Sequence, residues 1–162
     1  MKQLTLEQKE FIICKPSRLI EIGLDDLRKC ERSRKYAISM GVWIQKSIFD
    51  TECFVCLGGA VLAQKLHVED FDGTPQSLET ELPDLKLSDL KKVSCRAHAL
   101  NDFRMGCITS GVRICGSYNI KFRLKLEKLD EKYAYITPYL EGPTQFKRQM
   151  RKISKDLAEM GL

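Results

Sequence analysis

The spacing of apolar residues separates the chain into segments that repeat every three or four positions and segments that alternate. Thr5 and Gln8 have the capping-box spacing, which predicts a first helix from about Leu6 until Pro16 blocks it. Ser17 can then cap a second helix, in which Ile20, Leu24, Leu27 and Cys30 or Glu31 recur at helical spacing. In LSDLKKVSCRAHALNDFRMG, residues Leu87, Leu90, Val93, Ala97, Leu100 and Phe103 or Arg104 follow a helical course, and Gly106 is a natural stop. Cys107 to Cys115 has room for one more short helix or turn. After Pro143, the residues Phe146, Met150, Ile153, Leu157 and Met160 make an apolar stripe with Gly161 as terminator, which predicts a docked C-terminal helix.

Two segments alternate instead. Tyr36, Ile38, Met40, Val42 and Ile44 are interleaved with Ala37, Ser39, Gly41 and Trp43, which predicts a strand over 36–44. Further on, Ile120, Phe122, Leu124 and Leu126 are interleaved with Lys121, Arg123, Lys125 and Glu127. This predicts a strand over 119–127, and Tyr133 and Tyr135 supply a returning strand over 133–137, a hairpin with one wet, basic face. The expected fold class is therefore α+β, a predominantly helical single domain over 1–162 with a small antiparallel β element (36–44, 119–127 and 133–137).

The stretch CFVCLGGAVLAQKLH, Cys53 to His67, is apolar or tiny nearly throughout. As a helix it carries Cys56, Gly59 or Ala60, and Ala63 on one side, with Phe54, Leu57, Val61, Leu62 and Leu66 on the others. A helix apolar all round must be buried. Its two adjacent glycines cost about 2 kcal/mol relative to alanines, which an element packed tightly on that side would offset. From about 68 to 90 the sequence turns acidic and is broken by Gly73, Pro75 and Pro83, the composition of a long surface excursion.

Composition changes this picture little. The chain of 162 residues is 43% hydrophobic and 30% charged, a globular composition large enough for a core of its own. No apolar run reaches bilayer length, and MKQLTLEQKEF lacks a signal core, so the expectation is a cytoplasmic protein with no membrane contact. Seven cysteines at irregular spacings suit a reducing compartment and free, mostly buried thiols. Charge matters more. Residues 69–89 carry seven acids against the single base Lys86, a balance of −6 that leaves +11 elsewhere in a chain of net +5. Such an excess favours anionic partners, either an acidic protein or nucleic acid.

The sharpest chemical candidate is zinc. Cys53 and Cys56 form C-x-x-C, while Cys95 and His98 form C-x-x-H, together four soft ligands. Against that reading, Phe54 and Val55 between the first pair are apolar, and a neutral Cys behaves in such surroundings as a small hydrophobe. The expectation is no cofactor, with zinc as the alternative. Cysteine catalysis through Cys95 with His98, or Cys53 with His67, lacks a residue placed as orienter. The Gly58-Gly59 pair lacks the phosphate-loop frame, and the hydrolase, metalloprotease and kinase motifs are missing. The candidate contact residues are Lys147, Arg148, Arg151, Lys152 and Lys155 on the outer face of the last helix, and Glu69, Asp70 and Asp72 in the acidic excursion. Arg28 to Lys35 add a second basic cluster, which the end of a helix explains as well as nucleic acid does.

The arrangement of Met40, Trp43, Cys53, Cys56, Leu57, Gly59, Ala60 and Ala63, followed by ALNDFRMG from Ala99 to Gly106, resembles a pattern in small uncharacterised proteins of tailed bacteriophages and bacteria. What the resemblance implies is a host-takeover role by binding, a class that includes inhibitors of host ATP-dependent proteases and modulators of host transcription or defence. The expected function is thus a small non-enzymatic regulator that binds a host protein and modulates or inhibits it. The alternative is a nucleic-acid-binding regulator using the basic C-terminal helix, and the third reading is a zinc-stabilised protein.

Overall fold

The capping box read from the sequence closes at the first element. In the computed structural model, which describes residues 3–46, 53–116, 120–134 and 142–162, Thr5 Oγ1 accepts the Gln8 N–H at 3.3 Å and Gln8 Oε1 accepts the Thr5 N–H at 2.9 Å. Helix α1 (Leu6–Ile13) follows. Pro16 opens α2 (Pro16–Arg32) as its first residue, where a missing N–H costs nothing, so Lys15 stands at the cap. Ser17, the expected cap, lies inside the first turn and donates its hydroxyl to the Leu162 carbonyl at 2.5 Å.

Three short strands come next, β1 (Tyr36–Ile38), β2 (Ile44–Lys46) and β3 (Cys53–Val55). Six helices complete the described chain: α3 (Leu57–Leu66), α4 (Pro75–Glu81), α5 (Leu87–Arg104), α6 (Ile108–Ile114), after a 3-10 turn at Ile120–Phe122 α7 (Arg123–Tyr133), and α8 (Pro143–Glu159). The fold is predominantly helical α+β, and its described residues share one hydrophobic cluster. Helix α2 sits at the centre: Leu19, Ile20, Ile22, Leu24, Leu27 and Cys30 are all buried, an arc too wide for a helix with only one neighbour. Gly23 on that arc lets Leu100 of α5 and Leu57 of α3 close in, since a Cβ there would meet their methyls at 3.0 and 3.3 Å.

The sheet differs from the expected antiparallel element. Its order is β1-β3-β2, with β1 parallel to β3 and β2 antiparallel to it. The stretch 36–44 is not one strand. The chain turns at Met40 and Gly41, so β1 and β2 flank β3 on opposite sides, pairing Ile38 and Ile44 with the same Val55. Cys53 to Val55, expected as helix, is the central strand, and the helix begins only at Leu57.

The strand expected over 119–127 is helical throughout its described part. Alternation and helical spacing coincide there: Phe122, Leu126, Leu129 and Tyr133 also fall at intervals of four and three, and Leu, Lys, Arg and Glu are strong helix formers. The core takes Leu126 and Tyr133 and leaves Ile120 and Leu124 outside. Of the returning strand at 133–137, Tyr133 ends α7 and residues 135–137 lie outside the described residues.

The acidic segment is anchored more firmly than a surface excursion. Val68, Phe71 and Leu78 are buried, Phe71 exchanges backbone hydrogen bonds with Ile44 at 3.1 and 3.2 Å, and α4 lies within the segment. Of its acids, Glu69, Asp70, Asp72, Glu79 and Asp84 are exposed, and Glu81 and Asp89 are half-buried.

Candidate functional site

Four features bear on function: the packing around Trp43, the cysteines and histidines, the outer face of α8, and the acidic segment. The first shows why two glycines open α3. The Trp43 carbonyl accepts the Cys56 N–H at 3.0 Å, which brings the loop backbone onto the first turn of α3. A Cβ at Gly59 would overlap that carbonyl outright, and one at Gly58 would sit 2.9 Å from both the indole and the Ala97 carbonyl of α5. Gly73, at φ +92°, faces the indole from the other side, where a Cβ would come within 2.5 Å of Nε1. The ring packs edge-on against Phe71 and His98, with centroids at 5.4 and 4.8 Å. The small side of α3 thus receives a tryptophan, and the glycine cost is offset by that close approach.

The same packing separates the expected zinc ligands. Cys56 Sγ turns into the first turn of α3 and accepts the Gly59 N–H at 3.4 Å. His98 faces Trp43, with Nε2 at 3.3 Å from the Gly73 carbonyl oxygen. Cys95, three residues earlier on α5, is exposed, and Cys53 lies in β3 between Tyr36 and Lys46. Among the described residues no three of the His, Cys, Asp and Glu side chains come together to hold a metal ion, so Cys53, Cys56, Cys95 and His98 are not assembled as a site.

Burial pushes the Cys56 thiol up despite the Gly59 N–H and the nearby Arg104. Burial likewise raises Cys14 and Cys107, and pushes Cys30 and Cys115 up to about 11. These thiols are protonated near neutral pH, and Cys30, Cys56 and Cys115 among them are buried packing groups. Cys53 and His67 stand at opposite ends of the β3 to α3 unit, roughly 15 Å of helix apart.

Helix α8 divides its residues between two tasks. Phe146, Met150, Ile153 and Leu157 are buried, and Ser154 Oγ donates to the Ser17 carbonyl of α2 at 3.0 Å. Asp156 accepts from Lys132 Nζ at 2.6 Å and from the Tyr133 hydroxyl at 2.7 Å, which ties α7 to α8. Lys147, expected on the outer face, is half-buried and paired with Glu31 Oε2 at 2.5 Å. Arg148, Arg151, Lys152 and Lys155 are exposed. Among the described residues only Lys155 of these has an acidic neighbour, Glu159 at 3.9 Å, a pair open to water and therefore weak. The Lys147–Glu31 contact sets the start of α8 beside the end of α2, where Arg32, Arg34 and Lys35 are also exposed. Arg28 and Lys29 of that cluster are engaged with Asp25 and Asp26.

In the acidic segment Glu69, Asp70 and Asp72 are exposed. Asp72 organises the turn before α4, accepting from the Thr74 hydroxyl and N–H and from the Ser77 hydroxyl, and these bonds hold its carboxyl below the usual range. Glu69 lies 3.8 Å from Lys46 in the open.

One ionic feature escaped the sequence. Asp26 is fully buried on the central helix, 2.8 Å from Lys29 Nζ and 3.5 Å from Lys65 Nζ, while Lys65 also reaches Glu7 at 3.5 Å. Asp26 Oδ2 has no hydrogen-bond partner among the described residues. The cluster fastens α1, α2 and α3 together. The available signal was the position of Asp26 inside the apolar arc of α2. No helix is long and apolar enough to cross a membrane among the described residues. Comparison with family models, curated proteins and solved structures finds no match.

Proposed function

We propose that the protein acts by binding, its α8 outer face docking on an acidic surface of a partner protein and modulating it. The observation that carries this reading is the exposed row Arg148, Arg151, Lys152 and Lys155 on a helix whose apolar stripe and Lys147 are already committed to the fold. A cationic row on a docked helix gathers positive charge on one face, which speeds encounter with an acidic patch and favours one register of docking. In the setting implied by the motif resemblance the partner is a host protein, such as an ATP-dependent protease or a transcription or defence factor.

The test is affinity purification from bacterial lysate at low and moderate salt, with the wild type beside a variant carrying Arg148→Glu, Arg151→Glu and Lys152→Glu. A stoichiometric protein captured by the wild type and lost by the variant is the expected result. No stoichiometric protein at either salt would sink the reading. The exposed Arg32, Arg34 and Lys35 at the end of α2 lengthen the cationic surface and support a second reading, nucleic-acid binding. It predicts mobility shifts that fall steeply with salt, and their absence at low salt rules it out.

A further inference from the structure

Helix α1 has apolar side chains on two opposite faces. Phe11 and Ile12 enter the core, while Leu6 and Ile13 point away from it and are 84% and 72% exposed. Seven residues separate them, two helical turns, so they stand on one line about 10 Å apart. A helix apolar on both sides ordinarily has a neighbour on both.

The outward line borders a groove of about 500 Å³ between α1 and the start of α5. Leu4 and Ile12 line it together with Lys9, Lys86, Asp89 and Lys92. Leu87, next to Lys86 in the chain, is 58% exposed. The charges are uneven. Asp89 is paired with Lys92 at 3.6 Å, and Glu10, which falls between Leu6 and Ile13 on the outward face, is held by Arg18 at 2.8 Å, while Lys9 and Lys86 form no ion pair among the described residues.

The presenting helix is also rigid for its length. Its capping box is closed, Gln8 Nε2 donates to the Lys65 carbonyl at 2.7 Å, and Lys65 in turn reaches Glu7 and Asp26. A preformed surface loses little freedom on binding.

We infer that the groove between α1 and α5 is a second docking surface, and that it receives an amphipathic acidic helix of a partner protein. The partner's apolar side chains, repeated over two turns, would meet Leu6 and Ile13 along the groove edge, and its carboxylates would meet Lys9 and Lys86. Aliphatic groups beside lysines suit a protein better than a nucleic acid, whose bases stack on aromatic rings. The surface is separate from the α8 row and does not depend on it.

The experiment is a titration with a labelled synthetic peptide of three helical turns, bearing leucines on one face and glutamates on the other, followed by anisotropy and by amide chemical shifts. Controls are a peptide of the same composition with its leucines scattered, vesicles of phosphatidylcholine and phosphatidylglycerol, and single-stranded DNA. The expected result is binding that shifts amides of α1 and the start of α5, weakens about tenfold in Leu6→Ser with Ile13→Ser and in Lys9→Glu, and is unchanged in the α8 charge-reversal variant. Because Leu6 and Ile13 are exposed, those variants keep the fold. Equal binding of the scattered peptide, no effect of the α1 substitutions, or a response to vesicles or DNA alone would overturn it. Loss of peptide binding in the α8 variant only would place the peptide on the first surface and also overturn it.

Discussion

The clasp around Trp43 and the outer face of α8 occupy opposite ends of a scale. At the clasp, the backbone of one segment touches the first turn of α3 so closely that one methyl group at Gly59 has nowhere to go. On the α8 face, four long cationic side chains extend into water. The first region fixes the fold and tolerates almost no change of volume; the second contributes little to the fold and is free to carry function. The difference teaches where to look for each. Stability rests here on residues without side chains, and the binding proposed for α8 on residues whose side chains hold nothing else.

The sharpest way to break this contrast is Gly59→Ala. The new methyl collides with the Trp43 carbonyl, a backbone atom that can move only by undoing the Cys56 N–H bond. The expected loss is about 4 kcal/mol. Because the chain has one tryptophan, emission of Trp43 reports the clasp directly: the variant should shift to the red and unfold at lower denaturant. Unchanged emission and midpoint would show that the clasp is looser than described.

Asp26→Asn comes next, expected to cost about 3 kcal/mol, because it leaves the nearly buried Lys65 without its partner on the central helix. Urea unfolding checks it. A cost below that of an exposed ion pair would mean that water reaches the cluster.

A smaller effect carries a sign in pH. Burial pushes the Asp156 carboxyl up, but the Lys132 ammonium and the Tyr133 hydroxyl outweigh it and hold the group below its usual range. A depressed folded value stabilises the protein above the ordinary pKa of about 4, and that contribution is lost as pH falls through the folded value. Asp156→Asn should therefore cost about 1 kcal/mol at neutral pH, and the gap from the wild type should close below about pH 4. A gap independent of pH would assign the loss to packing. The smallest expected effect is at α8: reversing Arg148, Arg151 and Lys152 should move stability by no more than about 0.5 kcal/mol in thermal melts.

What the sequence disclosed follows the same contrast. Helices α1, α2, α5 and α8 were legible because a buried stripe and its caps are local signals, and Thr5, Gln8 and Gly161 stand where they were expected. The C-terminal helix was also legible as a surface, with Lys147 misplaced because only the tertiary contact with Glu31 turns it inward. The segment 119–127 reads as a strand because its apolar residues satisfy both periods, and only the helix propensity of Leu, Lys, Arg and Glu decides for the helix found over its described part. The boundary at Cys56 was hidden in an apolar run. A strand buried among its neighbours and a buried helix have the same composition, so the change from β3 to α3 left no polar mark. Trp43 was placed on a strand face, whereas its role depends on Gly59 and Gly73 arriving from elsewhere in the chain. The outward apolar line of α1 was visible as letters, but its meaning required knowing which face Phe11 occupies.

The central claim is that the α8 outer face serves binding and not folding. It is tested most directly by measuring, on one preparation, the melting temperature and the protein captured from lysate by the Arg148→Glu, Arg151→Glu, Lys152→Glu variant beside the wild type. The account predicts an unchanged melt and a lost partner. A partner retained at wild-type stoichiometry would contradict it.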